Sequence, residues 1–442
     1  MSALWTSAGL RAATAGRLAA DVTVQRVVFD SRHVAPGDLF VALRAERDGH
    51  AFVPAAFAAG AAAVMVEHGD DPRALVVADT LAALHALGIA GRARSGAKIA
   101  AVTGSVGKTT IKEMLRLALG AFGPTHAAAA SFNNHIGVPT TLANLAPDAA
   151  FAAIEIGMNN RGETAPLARL ARPHVIIISN IGTAHLGRLG SQAEIAAEKG
   201  DIMLGLEPGG TSVLPADSAY FPALRARGGK VWSFGTGPAD FRLLHQADRL
   251  ARVATPAGEI TLRLSAPGRH LAENACAVLA AAHALGLDLP RAAAALATFD
   301  AGAGRGQRRV ILVPGGAATL LDESYNASEL SIRAALKVLK SHDGRRVAVL
   351  GDMLELGEHG PALHNALAEE VAESAELVHT VGPLMGGMLR LLPDRLQGQA
   401  VADSASLAAP LRASLRAGDA VLVKGSLGMR MAVLIEALDS TP

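Results

Sequence analysis

The stretch KIAAVTGSVGKTTIKEMLRLALGAF, residues 98–122, limits the fold more than any other part of the chain. KIAAV is a short apolar run of the kind that forms a strand buried on both faces. In IKEMLRLALGAF, helical spacing puts Ile111, Met114, Leu115, Ala118, Leu119 and Phe122 on one face. The glycine turn between them therefore joins a strand to a helix N-terminus, where unpaired N–H groups and the helix dipole point at an anion. Gly104 and Gly107 permit close backbone approach, Lys108 can reach the outer phosphates of a nucleotide, and Thr109 can bind Mg²⁺. The common G-x-x-x-x-G-K-[ST] spacing would need glycine at Val102, so this loop is a shorter one. A glycine-rich turn without a ligand is the alternative.

The same alternation of β-branched runs and Ala/Leu-rich helical stretches covers the chain, which is the pattern of parallel sheets with helical crossovers. At 442 residues the length suits about three domains of ~150 residues. Breaks are expected near RARSGAK (92–98) and VPGGAA (313–318), giving units 1–96, 97–313 and 314–442. Expected strands are VQRVVFDS, DLFVAL, AAVMVE and ALVVAD in the first unit. The second has KIAAV, FAAIEIG, HVIIIS, SVLPA and KVWSFG, then a hairpin in LARVATPAGEITLRL. RVAVLG, LVHTVG and AVLVKGS belong to the third.

Lys and Arg total 41 against 40 Asp and Glu, so no field of one sign favours nucleic acid or an anionic membrane. No apolar run of 18 residues suggests a membrane span, and MSALWTSAGLRAATAG lacks the basic head of a signal peptide. The single cysteine, Cys276, rules out an internal disulfide and fits a reducing cytoplasm. In the helical run ENACAVLAAA it reads as a buried structural thiol rather than a nucleophile, for no basic neighbour would lower its pKa.

Three more residues bear on the loop. Glu155 ends the apolar run Phe151–Ile154 and is either a strand-end surface charge or the carboxylate that a nucleotide-bound Mg²⁺ needs on a neighbouring strand. His185 follows the strand HVIIIS, as a solvated loop histidine or a ligand at the same sheet edge. Lys199 shares a helical stripe with Ile195, Ile202 and Leu206. Its amine either snorkels to water or, if buried, is neutral and nucleophilic enough to take up CO₂ as a carbamate.

Together these motifs resemble the Mur ligase superfamily, whose short phosphate loop has the form T-G-[ST]-x-G-K-T-T. The matching stretches run in order: DSRHVAPGDLFVAL, DGHAF, TGSVGKTTIKEML, NNHIGVPTTL, EIGMNNRGE, SNIGTAHLGRLGS, AEKGDI, GRHLAENACA, GRGQR, DESYNAS, VLGDMLELGEHG and VKGSLGMRM. EIGMNNRGE, SYNAS and GDMLELG are similar to the member of the group that uses a dipeptide. The resemblance implies an α/β protein of three domains: a small mixed α/β N-terminal domain for a uridine nucleotide, a central P-loop ATPase with a mainly parallel sheet, and a C-terminal Rossmann-like domain that closes over ATP. It implies an ATP-dependent peptide ligase acting in the cytoplasm, expected as a monomer, that joins D-alanyl-D-alanine to UDP-N-acetylmuramoyl-tripeptide through an acyl phosphate, a step of peptidoglycan synthesis.

By the same resemblance the nucleotide contacts are Thr103, Gly104, Ser105, Val106, Gly107, Lys108, Thr109, Thr110, Asn274, Arg305, Asp322 and Asn326. Two Mg²⁺ sites are implied, one at Thr109 and Glu155, the other served by His185 and a carbamylated Lys199; Lys108, Glu155, His185 and Lys199 would be catalytic. Ser31, Arg32, Asp48, Gly49, His50, Asn133, Asn134, Lys424 and Ser426 are the implied substrate contacts. Ser328 and Glu329 stand where the family usually has Asn-Pro, Ala45 where it has glycine, and Asp201 where it has glutamate. A sister ligase adding a diamino acid would carry D-N-P-R, which is absent; folate polyglutamate synthesis lacks the DSR and DGH region. A non-catalytic nucleotide scaffold is disfavoured by intact Lys108, Glu155, His185 and Lys199.

Overall fold

The computed structural model describes residues 3–264, 266 and 268–439. Strands and helices alternate into three sheets, beside a two-stranded ribbon of Trp5–Thr6 and Thr23–Val24. The first sheet is parallel and in chain order: Arg26–Val28, Asp38–Val41, Ala63–Val66, Ala74–Val76.

The central sheet has nine strands. Lys98–Thr103 pairs in parallel with Val175–Ile178 on one side and Phe151–Glu155 on the other, so it sits where the strand order reverses. Ligands of open α/β sheets bind at the carboxyl ends of such strands. Thr125–Ala127 forms one edge; Thr211–Pro215, Lys230–Gly235 and Phe241–Ala247 extend the other, and the hairpin Leu250–Thr255/Gly258–Arg263 ends it, as expected. Apolar cores cover both faces of this sheet, which is why Ile99–Val102 and Val175–Ile178 are apolar throughout. Ile111, Met114, Leu115, Ala118 and Leu119 are buried on the expected face of helix Lys108–Gly120, and Phe122 packs at its margin.

The third sheet runs Gln307–Val313, Gly316–Glu323, Ala420–Lys424, Arg346–Gly351, Leu377–Val381, Gln397–Val401, with only the first strand antiparallel. Here the structure shifts an expectation. VPGGAA, taken as a break at 313/314, is the turn of the Gln307–Glu323 hairpin, with Gly315 at φ 83° and Gly316 at φ 153°. The sheet of the third unit therefore begins at Gln307. Turn and linker share a composition of small residues, and only strand pairing separates them.

Two junctions position the site. Helix Thr80–Arg94 packs on helix Gly137–Ala143 so closely that a Cβ at Gly91 would lie 2.2 Å from the Leu142 carbonyl. Asn144 exchanges two 2.8 Å hydrogen bonds with the Val27 backbone. Between the central and third units, Gly182 has Leu330 against it and Gly187 meets Gly357.

Candidate active site

The glycine loop is braced from the neighbouring strand end. Asn180 Oδ1 accepts from Val106 N at 3.0 Å, Ser179 Oγ donates to Val106 O at 2.5 Å, and Ser105 Oγ accepts from Gly182 N at 2.8 Å. Gly104 adopts φ 144°, and a Cβ there would fall 1.8 Å from Ser179 Oγ, so only glycine fits. Gly107, at φ 83°, opens the helix that Lys108, Thr109 and Thr110 begin. Thr103 is fully buried at the end of the strand. Asn274, on helix Arg269–Ala284, lies against Gly107: a Cβ there would be 3.1 Å from its Oδ1.

Lys108 folds over the loop and donates to Gly104 O at 2.8 Å. Desolvation lowers its pKa from the usual lysine value, Arg305 adding to the effect and Glu155 opposing it. Glu155, only 3% exposed, is held by neutral donors: Thr109 Oγ1 on Oε2 at 2.7 Å, Ser131 Oγ and Asn133 Nδ2 both on Oε1 at 2.7 Å. A buried carboxylate carrying hydroxyl neighbours, with no ion pair among the described residues, is a hard oxygen-donor set suited to Mg²⁺. Ser131 escaped the sequence reading; its only signal was its place two residues before Asn133. Asn134 faces away, its Oδ1 accepting from Gly137 N at 2.8 Å.

On the other flank of the loop, His185 sits 2.7 Å from Glu355 Oε2 through Nδ1, but off the axis of a hydrogen bond. Desolvation first, then the Lys199 and Lys108 cations, push its pKa down to about 4. Lys199 is 1% exposed between Ile195 and Ile202, both fully buried. Among the described residues no hydrogen bond or ion pair holds its amine. Desolvation, then Lys108, pulls its pKa well below that of a free lysine, with Glu198 opposing. Glu198 instead accepts from Gly162 N and Thr164 N at 2.8 and 2.9 Å. Thr183 Oγ1 and His185 Nδ1 are buried without hydrogen bonds. Among the described residues no three His, Cys, Asp or Glu side chains gather into a group that could hold a metal ion.

The third unit presents its strand ends to the loop. Arg305 stacks its guanidinium 3.7 Å above the Tyr325 ring. Asp322, 1% exposed, is committed to Gly304 N, Arg309 Nη2 and Ser324, which shape the Arg305 turn. Lys424 donates to Asn326 O at 3.0 Å and Glu323 Oε2 at 3.2 Å, leaving the Asn326 side chain exposed. Ser426 Oγ accepts from Leu354 N at 2.9 Å and so ties the last loop to the one carrying Glu355. Ser328, the departure from Asn-Pro, caps helix Glu329–Lys340 in a reciprocal box with Ser331, which fixes that loop by hydrogen bonds instead of a proline ring.

The uridine-end residues lie apart. Arg32 folds back on Asp30 at 2.5 Å, and Ser31 sits between them. His50 Nε2 accepts from Glu67 N at 3.0 Å, so Nδ1 carries the proton shared with Asp48 Oδ1 at 2.6 Å. Gly49 allows a backbone approach to Leu43 O that a Cβ would block at 2.6 Å. Among the described residues no hydrogen bond or ion pair joins this group to the glycine loop. Cys276 is buried, its thiol pKa raised by desolvation, which removes it as a nucleophile. No helix among the described residues is long and apolar enough to cross a membrane.

Residues 102–282 match the Mur ligase middle domain and residues 304–427 the Mur ligase glutamate ligase domain. The chain is 35% identical over 441 residues to the UDP-N-acetylmuramoyl-tripeptide–D-alanyl-D-alanine ligase of Synechocystis sp., covering 95% of this chain and 93% of that one. Its fold is similar to that of crystalline MurF from Acinetobacter baumannii, with a TM-score of 0.86, 32% identity and 99% of each chain covered. It is also similar to MurF ligase from Thermotoga maritima in complex with ADP, with a TM-score of 0.80, 26% identity and coverage of 94% and 97%.

Proposed function

The chain belongs to the Mur ligase family, and from that membership and the site's geometry we infer that it joins D-alanyl-D-alanine to UDP-N-acetylmuramoyl-tripeptide using ATP. The observation that carries this is the buried Glu155 bracketed by Thr109, Ser131 and Asn133 beside a loop whose lysine already points inward. A peptide carboxylate is a poor electrophile with a poor leaving group. Transfer of the γ-phosphoryl group to its oxygen, with ADP leaving, cures both faults. The dipeptide amine then attacks the carbonyl carbon: a C–N bond forms, the C–O bond to phosphate breaks, inorganic phosphate departs and the amine loses a proton.

Lys108 and the N–H groups of Gly107, Lys108 and Thr109 at the helix start hold the transferring phosphoryl group, and Arg305 supplies a second cation from the third unit. Asn274 faces the nucleotide side of the loop. Thr109, Ser131 and Glu155 would hold one Mg²⁺, and His185 with Lys199 as a carbamate a second. The buried Thr183 hydroxyl without a hydrogen bond and the Lys199 amine without one among the described residues support the second assignment. Bound Mg²⁺ supplies charge neutralisation on the phosphate oxygens. Ser31, Arg32 and Asp48–His50 take the uridine diphosphate end, while Asn326, Lys424 and Ser426 shape the acceptor side. The single buried cysteine and the absence of a spanning helix among the described residues support a cytoplasmic setting.

Mixing the protein with ATP, Mg²⁺, the nucleotide tripeptide and D-alanyl-D-alanine tests the reading. Phosphate release should require both peptides. Release with the tripeptide and a single amino acid in place of the dipeptide would overturn it.

A further inference from the structure

Lys112 is 1% exposed, and it lies one helical turn beyond Lys108 on helix Lys108–Gly120. Burying an ammonium costs several kcal/mol unless it is well bonded. Its one carboxylate partner among the described residues, Glu113 Oε1 at 2.8 Å, is shared with Arg116, which donates to Oε2. The rest of its capacity goes to backbone carbonyls, Ala128 O at 2.5 Å and Ala130 O at 3.3 Å. An apolar side chain would fill the space without the desolvation cost, so the cation is there for what it grips.

What it grips leads directly to Glu155. Residues 128–136 form no regular strand or helix; Gly157 N donates to Asn133 O at 2.8 Å at their far end, and they carry Ser131 and Asn133 onto Glu155 Oε1. The first unit holds the same segment from the far side, with Phe29 against Phe132 at 5.2 Å and His85 Nε2 at 2.7 Å from His135 O. From the helix that also carries Lys108, Lys112 holds the start of the segment at Ala128 and Ala130, and Thr109 Oγ1 meets Ser131 Oγ at 3.2 Å.

Resting on the Mg²⁺ reading of Glu155 above, we propose that Lys112 is a positioning residue: it pins Ala128–Ala130 to the phosphate-loop helix so that Ser131 and Asn133 meet the metal-binding carboxylate. It touches no substrate. Its effect is on the alignment of Glu155 and hence on metal affinity.

The test compares Lys112→Met, Lys112→Arg and Glu155→Gln by three readouts: thermal melting, hydrogen exchange of residues 128–134 in the metal-free protein, and the Mg²⁺ concentration for half-maximal phosphate release. Lys112→Met should melt cooperatively, exchange faster at 128–134 and need about tenfold more Mg²⁺, the size of effect seen when a group behind a metal ligand is lost. Lys112→Arg, which keeps charge and donors, should recover most of both. Unchanged exchange and Mg²⁺ requirement in Lys112→Met overturn the proposal. If that variant does not fold, Lys112→Gln is read by the same two measures, with wild-type values again overturning it. Glu155→Gln separates the two ideas. A wild-type Mg²⁺ requirement there defeats the metal reading itself, whereas a raised requirement there with none in Lys112→Met defeats only the role of Lys112.

Discussion

His185 of the central unit and Glu355 of the third meet at 2.7 Å, Nδ1 to Oε2, and both residues sit at φ 66°. A left-handed backbone costs on the order of 1 kcal/mol in residues other than glycine. Two such residues face each other because the loops behind them touch through the main chain: Gly187 N donates to Glu355 O at 3.1 Å. The central and third units thus touch through the main chain at this point, with the side-chain pair beside it.

Gly187→Val tests that contact. A Cβ at Gly187 would lie 2.6 Å from Gly357 N and 2.9 Å from Glu355 O, all of it across the junction. The variant should fold, show a larger radius of gyration by solution scattering, and lose about tenfold or more in turnover because reacting groups from different units no longer align. A wild-type radius together with a wild-type rate would show the junction to be irrelevant.

Lys108→Ala should fold normally and lose at least ~100-fold in turnover, since its cation offsets charge on the transferring phosphoryl group while the backbone cradle remains. Steady-state phosphate release and a melting curve suffice. Near-normal turnover would remove Lys108 from the phosphate site.

The local part of this site was legible in the sequence and the assembled part less so. Strand, glycine turn and amphipathic helix at 98–122 are set by local periodicity, and the Glu155 carboxylate stood out because charge is costly after four apolar residues. Ser131, Ser179 and Asn180 carried no such mark. They are small polar residues in loops, and their roles depend on which strand lies beside Lys98–Thr103. Glu355 and Arg305 act from another sheet, which no spacing rule reaches. The strand Gln307–Val313 was missed because it is an edge strand with polar and apolar residues mixed, Val310 being 76% exposed. Phe241–Ala247 likewise has four of its residues exposed.

Acid stability should register His379. It is 2% exposed, its Nδ1 accepts from Gln399 N at 3.0 Å, and desolvation, helped by Arg345, pushes its pKa down to about 4. The folded value lies below the unfolded one, so its contribution is complete above about pH 6.5 and is lost as pH falls toward 4. The full effect is roughly 3 kcal/mol, about 2 of it by pH 5. Unfolding free energies from urea titrations at pH 7.5 and 5.0 should differ by about 2 kcal/mol more in wild type than in His379→Gln. Other buried histidines, among them His126 and His364, are depressed too and contribute to both proteins alike. Equal slopes would mean that His379 titrates normally.

Lys199 gives the most discriminating experiment, because the sequence stripe and the structure reach the same amine by separate routes. The amine buried among Ile195 and Ile202, its pKa lowered first by desolvation, can in its neutral form attack CO₂: a C–N bond forms and a proton leaves. The product is an anion with two oxygens where a cation would repel a metal. Labelled bicarbonate should therefore give a ¹³C carbamate resonance that is missing from Lys199→Ala. That variant should stay folded and lose most activity, with partial return on adding acetate, which can occupy the vacated ligand position. Removing CO₂ should weaken the wild type, and bicarbonate should restore it. A fully active Lys199→Ala, or an unmodified amine in the active, metal-loaded enzyme, would leave Lys199 as a packing residue whose burial has another cause.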